Sequence, residues 1–381
     1  MNGDLVLTNA QVVTRHECFA GSVAVRDGVI AAVDRGSSSL PGALDFGGDY
    51  LIPGLVELHT DNLERHFAPR PGVRWPRQSA IFAHDAQLAG SAITTALDAI
   101  ALGDATETSP RVTMLADMFE AVRHASRSGM TRAEHFLHLR CELTYERVVE
   151  VFAEQSQDPL VRLVSIMDHT PGQRQFVDLD KYRAYYQGKY HLSDAEIGRF
   201  MARQQAAHER FAASHRDAIL RVCRARGLAL ASHDDATIEH VVEAVEAGMV
   251  IAEFPTTFAA AEMARDRGLS ILMGAPNLVL GSSHSGNISA GELARRGLLD
   301  IVSSDYVPAS LLHGAFVLTK DELGLQLSES IAKVSAVPAQ LVGLADRGAI
   351  AAGLRADLAW VKDTDAGPIV RTVWREGRRV G

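Results

Sequence analysis

The sequence has few cysteines, no long apolar run and no excess of basic residues. Its cysteines are Cys18, Cys141 and Cys223, far apart and without CxxC spacing, which excludes a disulfide framework and a thiolate zinc site. No run approaches the roughly 18 apolar residues of a membrane span, and no basic segment with an apolar stretch and cleavage site begins the chain. The 38 basic and 47 acidic residues give a net charge of −9, which argues against a nucleic-acid surface. We therefore expect a cytoplasmic protein with no nucleic-acid or membrane partner.

Both ends of the chain read as short strands. They are rich in β-branched residues, and each carries a turn signal, Asp27-Gly28 near the start and Glu376-Gly377 near the end. Neither end is long enough to form a core of its own. We therefore predict that residues 1–50 and 331–381 combine into one small β-sandwich domain.

The middle of the chain, residues 51–330, alternates apolar strand-like runs with helical patterns. The runs are GLVELHTD, AITTALDA, FLHLRCEL, VRLVSIMDH, LALASHDD, MVIAEFP, LSILMGAP and LDIVSSDY. Eight such units predict an α/β fold of the TIM (β/α)8 type, with a doubly wound open sheet as the alternative. Residues from about 178 to 226 are helix-like and longer than one crossover requires. We expect them to cover the barrel mouth, where their tyrosines either bind substrate or pack among themselves.

Metal-capable side chains close five of the eight predicted strands. They are His59, Asp61, Glu142, His169, His233 and Asp305. His59 and Asp61 are two positions apart and therefore project from the same face of a strand. Since the active face of such a barrel lies at the carboxyl ends of its strands, these residues should meet there. Imidazole and carboxylate donors without cysteine suit one or two ions of zinc, manganese or iron(II).

The sequence also resembles a known family. IPGLVELHTD, the strand-end histidines, the late SSDY and the closing GAIAAGLRADLAWV are similar to the amidohydrolase superfamily of metal-dependent hydrolases, over the whole chain. The strings PRPGVRWP, SIMDHTPGQRQF, ASHDDAT, AEFPTTF and GSSHSGN resemble, more specifically, the diphosphatases of the carbon–phosphorus lyase pathway. The resemblance implies hydrolysis of a ribose 1-methylphosphonate 5-triphosphate to the 5-phosphate and pyrophosphate. It also implies that Asp305 takes a proton from the attacking water.

The metal-site pattern departs from the superfamily at one position. The usual His-x-His is His59-Thr60-Asp61 here, so an oxygen donor replaces one nitrogen. We expect zinc first, with manganese or iron as alternatives, and the oxygen donor makes manganese a stronger alternative than the usual pattern would. Glu142 resembles the version of the site in which a glutamate bridges two ions. His169 follows the fourth predicted strand, whereas the superfamily places this histidine on the fifth.

A triphosphate requires cations or oriented donors along its length. The predicted substrate-binding residues are Arg174, Lys189, Arg140, Arg65, Ser282, Ser283 and His284. The last three belong to the GSSHSGN loop, whose glycines would let backbone amides approach an anion. The competing interpretations are a surface loop without a ligand and arginines that are solvated or paired.

Several other polar residues have two interpretations. His84 and Asp85 lie near the metals, or Asp85 caps a helix. Asp234 and Asp235 either orient His233 or cap the next helix. His135 and His138 fall within a predicted strand and are expected to pack there.

Two rival functions remain open at this point. The same metal centre cleaves amides in most of the superfamily, so a carbon–nitrogen hydrolase, a deacetylase or cyclic amidase, is the alternative function. A non-catalytic scaffold is the second rival, but such a protein would have lost its strand-end ligands. We expect a homodimer that acts on a small sugar triphosphate, beside other enzymes of phosphonate breakdown.

Overall fold

The computed structural model describes residues 4–106, 109–282, 287–320 and 322–381. Its strands are β1 (Leu5–Val13), β2 (Cys18–Arg26), β3 (Val29–Arg35), β4 (Leu44–Asp45), β5 (Tyr50–Pro53), β6 (Leu55–Thr60), β7 (Ile93–Leu102), β8 (Glu134–Glu142), β9 (Val161–Met167), β10 (Ala229–His233), β11 (Ile251–Glu253), β12 (Ser270–Gly274), β13 (Ile301–Ser303), β14 (Leu358–Thr364), β15 (Gly367–Arg375) and β16 (Arg378–Arg379). Its helices are α1 (Asn62–Phe67), α2 (Arg77–Gly90), α3 (Pro110–Thr113), α4 (Leu115–Ser128), α5 (Val148–Gln155), α6 (Leu179–Tyr190), α7 (Asp194–Arg226), α8 (Ile238–Ala247), α9 (Phe258–Asp266), α10 (Ala275–Leu280), α11 (Ala290–Arg295), α12 (Ser310–Val317), α13 (Leu327–Ala332) and α14 (Ala336–Leu341).

Strands β6 to β13 form a parallel barrel and pair in sequence order. A bridge between Thr60 and Asp305 joins the ends of β6 and β13 and closes the barrel at its mouth. All six residues of β6 and all ten of β7 are buried, as expected for parallel strands with side chains packed inside and helices outside. The predicted TIM-barrel fold is confirmed, the eight predicted runs are its strands, and the closure excludes a doubly wound open sheet.

Alternate residues of β8 show how the barrel interior changes with height. Phe136 packs in the apolar interior with Leu58, Leu97 and other residues. His138, two residues later, hydrogen-bonds inside the barrel, and Arg140 reaches the cavity at the mouth. One face of a single strand therefore passes from apolar core through a polar layer to the site.

Two of the outer helices, α8 and α9, begin with side-chain caps. The side chains of Thr237 and Thr257 accept hydrogen bonds at the starts of α8 and α9. Gly248 ends α8 with a φ of 82°, a left-handed conformation that glycine adopts without a Cβ clash. No helix within the described ranges combines the length and apolar character needed to cross a membrane.

A helical flap lies between β9 and β10, formed by a 3-10 turn (Arg174–Phe176), α6 and α7. Helix α7 is 33 residues long and starts with a capping box between Ser193 and Glu196. The flap has an apolar cluster of its own, made of Phe176, Tyr182, Tyr186, Ile197, Phe200 and Met201. Tyr182 and Tyr186 thus pack within the flap, whereas Tyr185 lines a cavity at the barrel mouth.

Both chain ends contribute to one mixed sheet with the order β16-β15-β14-β5-β1-β2-β3, and β4 pairs with β1. Both predicted turns have positive φ at their two central residues, Asp27 and Gly28 in one and Glu376 and Gly377 in the other. That geometry is typical of a hairpin turn of type I′. A second apolar cluster, which includes Phe46 and Trp374, packs against this sheet. The predicted union of the two chain ends is confirmed.

Candidate metal centre

The strand-end residues converge on one cavity of about 330 Å³ at the carboxyl ends of the barrel strands, called here the mouth cavity. The members of the predicted metal set that line it are His59, Asp61, His169, His233 and Asp305. Glu142 lines a side chamber of about 60 Å³ beneath the flap. His169 Nδ1 lies 2.5 Å from its carboxylate, and His169 lines both spaces. The structure thus brings all six residues together around one centre.

Glu253 orients two of the histidines from below. Its two carboxylate oxygens accept hydrogen bonds from Nδ1 of His59 and Nδ1 of His233, each at 3.1 Å. The two rings are nearly parallel, with centroids 5.8 Å apart. Because a carboxylate can only accept, both rings carry the proton on Nδ1 and keep the Nε2 lone pair for a ligand. Glu253 was not among the residues predicted from the sequence, although an acid near the end of the apolar run MVIAEFP was a signal.

Burial shifts the pKa values of His59, His233 and Asp305, whereas at His169 burial is outweighed by the carboxylate of Glu142, which raises the pKa. It lowers the pKa of His59 well below its usual value and that of His233 to about 3. Burial, and then the nearby charge of Asp61, raise the pKa of Asp305 to about 8. Neutral imidazoles are the form in which histidine binds metal.

Three strand ends carry non-glycine residues in the left-handed conformation. Asp234, Phe254 and Asp305 follow β10, β11 and β13 with φ values of 56°, 52° and 54°. Such φ values are uncommon for side chains larger than glycine and often mark functional sites. Here all three residues line the mouth cavity.

Glu57 ties the first barrel strand to the last. Its carboxylate accepts from the backbone N–H groups of His59 and Ser304, each at 2.6 Å. Burial raises the pKa of Glu57 to about 7. The contact holds the segments that carry Asp61 and Asp305 at fixed positions beside each other.

No family model matches the chain. It is 48% identical over 377 residues to the alpha-D-ribose 1-methylphosphonate 5-triphosphate diphosphatase of Escherichia coli (strain K12), covering 99% of this chain and 100% of the relative. The chain belongs to this diphosphatase family.

Solved structures with the same fold are more distant. The N-acetylglucosamine-6-phosphate deacetylase of Pasteurella multocida is 12% identical with a TM-score of 0.62, covering 99% of both chains. The dihydropyrimidinase of Brevibacillus agri is 13% identical with a TM-score of 0.57, covering 99% of this chain and 95% of that one. These likenesses show that this diphosphatase family member shares its fold with the two hydrolases.

The predicted substrate-binding residues are placed very differently from one another. Arg140 lines the mouth cavity and Lys189 the side chamber. Arg65 is exposed and donates to the carbonyl of Tyr306. Ser282 is exposed and is not among the cavity residues. Ser283 and His284 lie outside the described residues.

Arg174 is not among the described residues that line the mouth cavity or the side chamber. Its guanidinium is buried in ion pairs with Asp235 and Glu243, the latter at 3.0 Å. Both partners lie beyond the flap in sequence, on or next to α8, so the pairing was not visible in PGQRQF. Arg111, on α3, lines both spaces and was missed by the sequence analysis.

The aspartates that follow His233 have separate roles. Asp234 lines the mouth cavity, and its Oδ2 lies 3.5 Å from His233 Nε2 and 3.9 Å from His169 Nε2. Asp235 instead accepts from Ser232 and Arg174. The predicted capping role falls to Thr237 rather than to either aspartate.

A second histidine cluster lies outside the barrel wall, between α2 and strands β7 and β8. His84 Nε2 and His135 Nδ1 each lie 2.8 Å from the carboxylate of Asp98. His84 Nδ1 accepts from the amide of Asn62, so its proton is on Nε2 and is given to Asp98. His135 has carboxylates on both ring nitrogens, because Asp85 lies 3.3 Å from Nε2.

Hydrogen-bond partners occupy every ring nitrogen of this cluster. Burial opposes a charge on His135, but Asp98 and Asp85 outweigh it and raise the pKa of His135 to about 9. An imidazolium between two carboxylates has no lone pair for an ion. His84 and Asp85 therefore stabilise the packing of α2 and do not belong to the metal centre.

Proposed function

We propose that this chain hydrolyses alpha-D-ribose 1-methylphosphonate 5-triphosphate to the 5-phosphate and pyrophosphate, in the breakdown of phosphonates. The observation that carries the proposal is 48% identity to the Escherichia coli diphosphatase over the full length of both chains. A match over 99% of this chain and 100% of the relative includes the barrel, the flap and the terminal sheet.

One or two divalent ions are part of the proposal. His59, Asp61, Glu142, His169, His233 and Asp305 would hold them, and the ligand atoms of His169 and His233 lie within 4.8 Å of each other. The donors fit this role, because Glu253 leaves two Nε2 lone pairs for an ion and burial keeps those rings neutral. Zinc is our first choice, with manganese or iron(II) as alternatives. A bound ion would supply Lewis acidity and offset the charge of the phosphoryl oxygens.

The residues of the chain have distinct roles in the proposed reaction. Water attacks phosphorus while the bond to the bridging oxygen of the leaving diphosphate breaks, and the oxygen keeps that electron pair. Asp305 takes the proton of the water. Its carboxylate lines the mouth cavity, where it can reach a water that attacks phosphorus. Arg140 and Arg111 offset the negative charge of the phosphoryl oxygens from the cavity wall.

The test is pyrophosphate release by metal-replete protein. The substrate is alpha-D-ribose 1-methylphosphonate 5-triphosphate, and N-acetylglucosamine 6-phosphate serves as the amide-containing comparison. We expect pyrophosphate and no acetate. Acetate release without pyrophosphate would overturn the proposal in favour of carbon–nitrogen hydrolysis, the activity class of distant relatives with the same fold.

The proposal also includes a cytoplasmic homodimer that works beside other enzymes of phosphonate breakdown. The acidic net charge of −9 supports it as a protein that stays in solution without binding nucleic acid. Light scattering of the purified protein measures subunit number directly, and a mass of about 41 kDa rather than twice that value would contradict the dimer.

A further inference from the structure

Arg140 presents a buried cation that lacks its ordinary partners. Its side chain is 8% exposed and lines the mouth cavity. Among the described residues, neither its Nε nor its Nη1 has a hydrogen-bond partner. Asp61 Oδ2 lies 3.9 Å from Nη1, which is near enough for attraction but too far for a hydrogen bond. Leaving such donors unpaired costs free energy, so the arrangement is suited to an anion that supplies the missing acceptors.

Two further cations lie near Arg140, and Arg111 approaches the same oxygen of Asp61, at 3.8 Å. Arg111 lines both the mouth cavity and the side chamber, and Lys189 lines the chamber under the flap. Glu64 holds Arg111 through a hydrogen bond of 2.9 Å. Asp104, 3.8 Å from Lys189, holds its ammonium at the chamber wall. Among the described residues that line the chamber, the carboxylates are Asp104 and Glu142.

The opposite wall of the mouth cavity has no cation among its described residues. It is formed by Phe254, Pro255, Met273, Gly274, Pro276, Asn277, Asn287, Ile288 and Tyr306. This wall is apolar with two amides, a surface suited to a sugar ring. The cavity is therefore electrostatically asymmetric about the metal-binding residues.

We propose that Arg140, Arg111 and Lys189 form the subsite for the leaving diphosphate, and that the sugar lies along the opposite wall. This inference rests on the proposed function, because it takes the bond between the sugar phosphate and a diphosphate as the one that breaks. The leaving diphosphate gains negative charge as that bond breaks, and cations fixed beside it stabilise that charge. Arg140 contacts the phosphoryl group next to the centre, and Lys189 contacts the terminal one.

The experiment measures equilibrium binding of inorganic pyrophosphate, orthophosphate and ribose 5-phosphate to the holoenzyme by calorimetry. The variants are Arg140→Gln and Lys189→Met, with Lys189→Arg as the charge-preserving variant. Lys181→Met, an exposed lysine on the same helix α6, is the matched control. Metal content is measured for every sample, so that loss of metal is not mistaken for loss of the subsite.

We expect each of the two charge-removing variants to weaken pyrophosphate binding about tenfold, as for the loss of one charge-assisted hydrogen bond. Lys189→Met should leave orthophosphate and ribose 5-phosphate binding unchanged, and Lys189→Arg should retain most of the pyrophosphate affinity. Unchanged pyrophosphate binding in both charge-removing variants, at full metal content, would overturn the proposal. The proposal would also be overturned if Lys189→Met weakened binding of ribose 5-phosphate and not of pyrophosphate. The sugar phosphate, and not the diphosphate, would then lie beside Lys189.

Binding without turnover separates this proposal from the proposed function. If the expected pattern is found but the triphosphate is not hydrolysed, the diphosphate subsite stands and the proposed reaction fails. If the triphosphate is hydrolysed but the affinity for pyrophosphate is unchanged in both charge-removing variants, the reaction stands and the subsite is refuted.

Discussion

Replacing Glu253 by glutamine tests whether one buried carboxylate prepares the metal centre. The side chains have nearly the same shape, so Glu253→Gln leaves no cavity. The carboxylate accepts from two Nδ1–H groups at 3.1 Å, whereas the amide has one accepting oxygen and one donating nitrogen. One of His59 and His233 must therefore accept through Nδ1 and move its proton to Nε2. That ring then has no lone pair facing the cavity.

Glu253→Gln should weaken metal binding strongly and change the free energy of unfolding only a little. Outer partners of metal-binding histidines typically contribute about 10- to 100-fold in affinity, which corresponds to about 1.4–2.7 kcal/mol. The metal-free variant keeps both hydrogen bonds, one of them reversed, so its free energy of unfolding in urea should change by less than about 1 kcal/mol. Competition with a chromophoric chelator measures the affinity. Cobalt(II) spectra report whether a nitrogen ligand is lost.

The matched control is Glu246→Gln, an exposed glutamate on α8. It removes the same charge and should change neither measurement. If Glu253→Gln binds metal within about threefold of the original protein and its cobalt spectrum is unaltered, Glu253 does not fix the two histidine tautomers.

Three further predictions follow from the same contacts. Asp305→Asn should lower kcat by about 100-fold or more, as for loss of a general base, with metal content retained; an unchanged kcat at full metal content would refute the base assignment. His135 has a pKa raised from 6.5 to about 9, so its stabilising charge with Asp98 should be fully present below pH 6.5 and lost as pH rises through about 9. Urea unfolding across this range checks it, and His135→Asn should remove that part of the pH dependence. Arg174→Met should destabilise the fold by about 3 kcal/mol because Asp235 is left buried without its cation; a raised KM without loss of stability would instead restore a substrate role.

The sequence predicted those candidate site residues that lie at the ends of apolar runs. His59 and His233 lie at the carboxyl ends of their strands and His169 lies just after its strand. The barrel geometry brings such positions together regardless of loop details. The same reasoning identified the hairpin turns and the union of both chain ends, since their patterns are local. These features depend on periodicity and turn chemistry, which are visible in a single sequence.

What could not be predicted depends on partners distant in the chain. Arg174 looked free in PGQRQF, but its partner Glu243 lies 69 residues further on. Glu253 and Glu57 read as ordinary acids beside apolar residues, and only the closed barrel shows which groups they accept from. Arg111 lies outside any strand, so no periodicity marked it as a cavity residue. In each case the missing information was the direction of a side chain in three dimensions.

The seam between β6 and β13 has a consequence for how the enzyme matures. Asp61 is made early in synthesis and Asp305 late, yet their backbones are joined directly where Thr60 meets Asp305. Strand β5 likewise pairs with β14, near the end of the chain. A nascent chain on the ribosome therefore cannot assemble the complete ligand set until its last strands have emerged. Under the proposed function, metal binding would follow this last stage of folding, and a truncated chain would not retain the ion.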